Sequence, residues 1–226
     1  MNDPARLPPI LRLGHPVAER AVLVGDPGRA LALARTLLEG PLMSNHARGL
    51  WGYTGGTEDG RRLSVLSVGT GGPSAAAVLR ELHDAGVRRV VRAGSAVATG
   101  PDVAAGEVRV VRFAVAHDGT SRALGRAPGD EIRPDAELTA RLTGTGLTDL
   151  GVVSVDLLPA DGGPPPPEHP GAHAVDRQTA PLLAAAARLG LPAAAVLGFP
   201  GPGESDDARA AWWQAVGAAA AGALAA

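Results

Sequence analysis

Ala21-Val22-Leu23-Val24-Gly25-Asp26-Pro27-Gly28-Arg29 is the segment on which the fold turns. Four apolar residues, short and β-like, stop abruptly at a Gly-Asp-Pro-Gly turn, and residues 29–38 continue as a Leu- and Ala-rich run of helical character. A strand that ends in a glycine turn and opens a helix leaves backbone N–H groups and the positive helix end where an anion can sit. The plan recurs further on. Leu63 to Val68 reads as a strand, Gly69-Thr70-Gly71-Gly72-Pro73-Ser74 as the turn, and the stretch through His83 as a helix that tolerates Pro73 in its first turn.

Outward from these two units the chain keeps alternating. Trp51 to Gly55 reads as a strand joined to Leu63–Val68 by a turn at Glu58-Asp59-Gly60. Further strands are expected at Val87–Val91, Val108–Ala116, Gly151–Val155 and Ala193–Leu197, and helices at Pro134–Leu142 and Ala174–Leu189, with an Ala-rich helix at the end. Pro159 to Pro170 includes four consecutive prolines, Pro164 to Pro167, and reads as an extended surface loop. A second Gly/Pro loop runs from Pro200 to Gly203. This alternation over 226 residues, without an internal repeat, predicts one α/β domain (residues 1–226) with helices on both faces of its sheet.

Composition removes several classes of chemistry. All 21 basic residues are Arg, which excludes a P-loop lysine, a Schiff-base lysine and a lysine general base. Zero Cys excludes thiolate metal sites and a cysteine nucleophile. A net charge of −2 gives no electrostatic reason to expect nucleic acid. There is no apolar run of membrane-spanning length, and Pro8, Pro9 and Arg12 interrupt the N-terminal candidate for a signal segment, so a cytoplasmic protein without membrane contact is expected. His169 and His173 are four apart, but Pro170 and Gly171 break the helical face a metal site would need, so no metal is expected. The Gly69 turn lacks the third glycine of a dinucleotide fingerprint, Ser74 standing there, and Arg92 occupies the end of the next strand where an acid would be needed.

What remains is a set of arginines beside glycine turns: Arg29 after Gly25, Arg48 in Ser44-Asn45-His46-Ala47-Arg48-Gly49, and Arg92 leading into Gly94-Ser95. Guanidinium forks converging on one oxyanion would form a phosphate site.

The order and spacing of Gly25-Asp26-Pro27-Gly28-Arg29, Arg48-Gly49, the Gly69–Ser74 turn, Arg92-Ala93-Gly94-Ser95 and Asp118-Gly119-Thr120-Ser121 resemble the nucleoside phosphorylases, specifically the uridine phosphorylase and hexameric purine nucleoside phosphorylase group. The likeness is dense from Ala21 to Ser121 and thins thereafter. It implies a three-layer α/β/α sandwich around a mixed, partly barrel-like sheet, assembled as homodimers or trimers of dimers. It also implies that Gly25, Arg29, Arg92 and Ser95 bind phosphate, with Arg48 supplied by a neighbouring subunit, and that Thr70, Arg177 and Gln178 meet the rest of the substrate. No cofactor is implied, only inorganic phosphate as co-substrate.

The second half departs from that pattern. Where the family carries glutamate–methionine–glutamate, this chain reads Asp176-Arg177-Gln178, so an amide replaces the carboxylate that grips the ribose hydroxyls and an arginine replaces the methionine beneath the sugar. The aspartate that protonates the purine base is replaced within Gly198-Phe199-Pro200-Gly201, with no acid until Glu204. The base-stacking aromatic is Leu157 or Leu158, and the loop after it lacks the Gln-x-Arg pair that holds a pyrimidine. Asp176 is expected to accept from backbone donors at the helix start. Arg12 and Arg177 point to a substrate with its own negative charge. The expected function is phosphate-dependent cleavage or formation of a glycosidic bond in an atypical, nucleoside-like substrate. The alternative is an inactive or repurposed relative that binds an anionic small molecule or a partner subunit.

Overall fold

The first strand, β1 (Arg20–Val24), is buried along its length and serves two cores at once. Ala21 and Leu23 belong to one hydrophobic cluster, Val22 and Val24 to the other, as the two-residue repeat of a strand requires. The computed structural model describes residues 9–201 and 206–225, and in it one mixed sheet carries this pattern outward. β1 pairs in parallel with β4 (Arg62–Ser67) on one side and β5 (Arg89–Ser95) on the other. Beyond β4 come β3 (Gly52–Gly56) and the edge strand β2 (Glu39–Asn45), both antiparallel. Beyond β5 come β11 (Ala193–Gly198), β7 (Val108–His117), β9 (Asp149–Val155), β10 (Ala172–Asp176) and β6 (Val97–Ala98), while β8 (Glu131–Ile132) pairs with β7.

Only Ala96 separates β5 from β6, yet β6 pairs with β10 at the far end of the strand order. The path from β5 through β11, β7, β9 and β10 to β6 therefore turns back on itself, and this half of the sheet forms a barrel-like wall.

Helices close both faces. α2 (Gly72–Asp84) and α5 (Thr179–Leu189) pack together over the face that carries Ala21, Leu23, Val90 and Leu197. α1 (Pro27–Leu37), α4 (Ala136–Thr143) and α6 (Asp206–Leu224) cover the opposite face, with Val22, Val91, Ala194 and Val196 beneath them. The short α3 (Gly119–Ala123) follows β7 and is capped by Asp118, which accepts from the Ser121 N–H at 2.7 Å. The expected three-layer architecture is thus present. No described helix is long and apolar enough to cross a membrane.

Two local expectations are corrected. Residues 174–176, expected to open a helix, belong to β10, because Ala174 and Val175 pair in parallel with Val152 and Val153 in the sheet interior. The helix starts at Thr179, three residues after Asp176. β2 falls where no strand is expected, and its first five residues are exposed. Of the second Gly/Pro loop, residues 202–203 lie outside the described residues, as does Glu204.

Candidate functional site

The carboxyl ends of parallel strands in an open α/β sheet point at a common crevice, where ligands of such folds bind. Here β1 delivers Gly25, β4 delivers Gly69 and Thr70, and β5 delivers Arg92 and Ser95 to a cavity of about 500 Å³. Arg29, Arg48, Arg177 and Gln178 complete the predicted set, and all of these residues line the same cavity. Arg48 is exposed and lies on its own chain's cavity, in the left-handed region at φ 57°, a conformation no other described non-glycine residue adopts.

Arg92 is the buried cation of the site, 5% exposed. Its guanidinium folds back along β5 into the space above Gly94, where a Cβ would lie 1.1 Å from Nη1. Residues two apart share a strand face, so only glycine leaves that space free. Nη2 donates to Asp176 Oδ2 at 3.0 Å, while Nε and Nη1 are buried without a hydrogen-bond partner. Burial pulls the Arg92 pKa below the ordinary guanidinium value, and the Asp176 carboxylate opposes that shift.

Asp176 is fully engaged. Besides Arg92 it accepts from Ser154 Oγ at 2.6 Å and from the backbone N–H groups of Gln178 and Thr179, so it anchors the start of α5 as expected. Ser154 in turn accepts from the Ala180 N–H at 2.9 Å; nothing in the sequence reading singled it out, although its place on β9 beside β10 makes the contact. Asp26, the other carboxylate on the cavity wall among the described residues, caps α1 by accepting from the Arg29 N–H at 2.9 Å. The Arg29 guanidinium lies 3.8 Å from the Trp213 ring centroid, which ties the anion side of the cavity to α6.

The cavity also has apolar lining, which includes Leu50, Ala96, Val97, Leu158, Val175 and Pro200. Of the two leucines expected near a base, Leu158 lines the cavity, whereas Leu157 does not and is 53% exposed. Arg177 turns outward to Asp161, with Nη1 2.8 Å from Oδ2, and that carboxylate also accepts from the Leu158 N–H. Arg12 does not line the cavity; its backbone N–H donates to Asn45 Oδ1. The two arginines that suggested an anionic substrate therefore do not converge. His173 pairs with Asp102 at 3.1 Å, and no group of His, Asp and Glu among the described residues is arranged to hold a metal.

An arginine-lined, glycine-walled cavity thus lies at the carboxyl ends of parallel strands in an α/β fold. A family model described as the phosphorylase superfamily matches residues 19–156. The DeoD-type purine nucleoside phosphorylase of Geobacillus kaustophilus is 34% identical over 193 residues, spanning 80% of each protein. That of Chromobacterium violaceum is 45% identical over 87 residues, 38% of this chain and 36% of its own. Among solved structures, uridine phosphorylase from Vibrio fischeri ES114, complexed with 6-hydroxy-1-naphthoic acid, has the same fold, with a TM-score of 0.75 at 20% identity over 92% of this chain and 90% of that one. The chain belongs to the phosphorylase superfamily.

Proposed function

We propose that this protein is a phosphate-dependent glycosyltransferase of the pentosyl class, in which Gly25, Arg29, Arg48, Arg92 and Ser95 hold inorganic phosphate against the anomeric carbon of a nucleoside-like substrate. The observation that carries the reading is Arg92: a buried guanidinium whose Nε and Nη1 have no hydrogen-bond partner, on a cavity lined by other arginines. Such donors are costly to leave unmatched, and an oxyanion satisfies them with charge-assisted bonds.

In this reading phosphate attacks the anomeric carbon as the C–N or C–C bond to the leaving group breaks, and the departing electron pair stays with that group. The protein's contribution is positioning and the field of the bound dianion on an oxocarbenium-like sugar. Neither described carboxylate on the cavity stands as an unengaged acid, since Asp176 is committed through both oxygens and Asp26 caps α1 through Oδ1. The apolar lining of Val97, Leu158, Val175 and Pro200 fits a leaving group that is buried by contact rather than read by hydrogen bonds. The same engagement of both carboxylates supports a second reading, an anion-binding relative without turnover.

Titration calorimetry with inorganic phosphate tests the site. Wild type is expected to bind, and Arg92→Ala to bind at least about tenfold more weakly, as loss of a charge-assisted hydrogen bond implies. Phosphate-dependent release of base from a panel of nucleosides separates the two readings. Base release that needs phosphate and is lost in Arg92→Ala supports the enzyme, and binding without turnover supports the second. Unchanged phosphate binding in Arg92→Ala overturns both.

A further inference from the structure

We infer that Gln178 is a positioning residue that latches the Gly69–Gly71 turn, and not a ligand for the sugar hydroxyls. This rests on the anion-site reading above and deepens it. The side chain is buried, 4% exposed, and its Nε2 donates to two backbone carbonyls of one turn, Gly69 O at 2.7 Å and Gly71 O at 3.1 Å. Both amide hydrogens are thereby used. The assignment of nitrogen rather than oxygen follows from chemistry, because an oxygen at 2.7 Å from a carbonyl oxygen would have no proton to share.

The latched turn needs holding. Gly69 and Gly71 sit at φ 75° and φ 82°, where glycine is free to leave for other conformations. Peptide planarity makes the Thr70 N–H trans to the Gly69 carbonyl, so fixing that carbonyl on Gln178 fixes the direction of the Thr70 N–H in the cavity wall. Oε1, the atom left over, faces the other glycine turn, 3.8 Å from where a Gly25 Cβ would stand. One residue thus spans the two glycine turns of the anion site.

A glutamate cannot do this. An ionised carboxylate has only acceptors and would face two carbonyl oxygens, whereas a protonated one has a single O–H to give. The two bonds to the turn are therefore ones that this amide makes and a carboxylate does not, independently of the sugar.

The test compares wild type with Gln178→Glu at pH 7.5 and pH 5, titrating inorganic phosphate and ribose 1-phosphate separately. Backbone amide exchange of Thr70–Gly72 is followed in parallel. Asp26, Arg29, Arg48, Arg92, Asp176 and Arg177 face the same cavity and are common to both proteins, so wild type measured at the same two pH values is the control. At pH 7.5 the variant is expected to exchange at least about tenfold faster at Thr70–Gly72, with β1 and β5 unchanged, and to lose affinity for both ligands by the same factor, about tenfold. At pH 5 part of that loss is recovered relative to wild type.

Failure takes a recognisable form. Phosphate binding unchanged with ribose 1-phosphate altered more than about threefold would make Gln178 a sugar ligand and overturn the inference, as would identical exchange in the two proteins. If wild type binds neither ligand, the anion-site reading fails. The exchange comparison then still decides the latch.

Discussion

At the scale of single residues, the site depends on a glycine that the sequence displays openly and on pairings that it hides. Gly94 is read easily as part of a turn-like Arg-Ala-Gly-Ser segment. Its function is narrower: it lies two residues from Arg92 on the same strand face and leaves the volume that the guanidinium fills. Gly94→Ala is expected to push the guanidinium off Asp176 and weaken phosphate binding by at least about tenfold, close to the effect of Arg92→Ala, with the fold retained by circular dichroism. Calorimetry with phosphate checks this, and wild-type affinity would show that Arg92 finds another route to the cavity. The residues proposed to hold phosphate were legible because each lies in or within two residues of a glycine beside a strand or turn. Arg177 and Gln178 were placed on the cavity but not given their partners. Asp161 and the Gly69 and Gly71 carbonyls lie 16, 109 and 107 residues away, and nothing local encodes those contacts.

At the scale of elements, packing of α6 against β11 bears directly on the cavity. Gly198 ends β11 beneath Trp212, where a Cβ would come within 2.1 Å of the indole ring. Trp212 stacks on Trp213 with ring centroids 4.4 Å apart, and Trp213 carries the Arg29 guanidinium. Gly198→Ala is therefore expected to destabilise the protein by about 1–3 kcal/mol, the range for overpacking a filled core, and to weaken phosphate binding through the displaced pair. Denaturant unfolding and phosphate titration on the same preparation test this; a loss of stability with unaltered affinity would detach α6 from the site. The strand–turn–helix units were readable because periodicity and glycine turns agree there. β10 was misread for a physical reason. Ala174 to Asp176 runs without a glycine or proline break into the Ala- and Leu-rich helix, and only pairing with β9 and β6 makes it a strand. Conversely, β2 looks like a loop in sequence because its exposed residues have no apolar alternation to betray it.

At the scale of the whole molecule, Arg20 fastens distant parts of the chain to one another. It sits at the start of β1, buried, and donates to both oxygens of Asp59 at 2.7 and 2.8 Å, to Thr57 Oγ1, to the Arg62 carbonyl and to the Leu224 carbonyl at the end of α6. The turn between β3 and β4, the central strand and the last helix are thus held by one guanidinium. Asp59, accepting from Arg20 and Thr57, has its pKa held well below the usual carboxylate range. An acid whose folded pKa is depressed contributes stability that is fully present above its unfolded value, near 4, and is lost as pH falls towards the folded value. Asp118 works in the opposite sense, since burial raises its pKa and its ionisation opposes folding as pH rises. The two are separated by mutating one. Asp59→Asn is expected to melt several degrees below wild type at pH 7 and to lose less as the pH is lowered from 5 to 2, so that the two melting curves approach each other in acid. Asp118 is common to both proteins and drops out of the difference. Thermal melts at pH 7, 5, 4, 3 and 2 provide the measurement. A gap between the two proteins that stays constant down to pH 2 would mean that the Arg20 cluster holds the three elements through its carbonyl and hydroxyl contacts, with the charge on Asp59 contributing nothing.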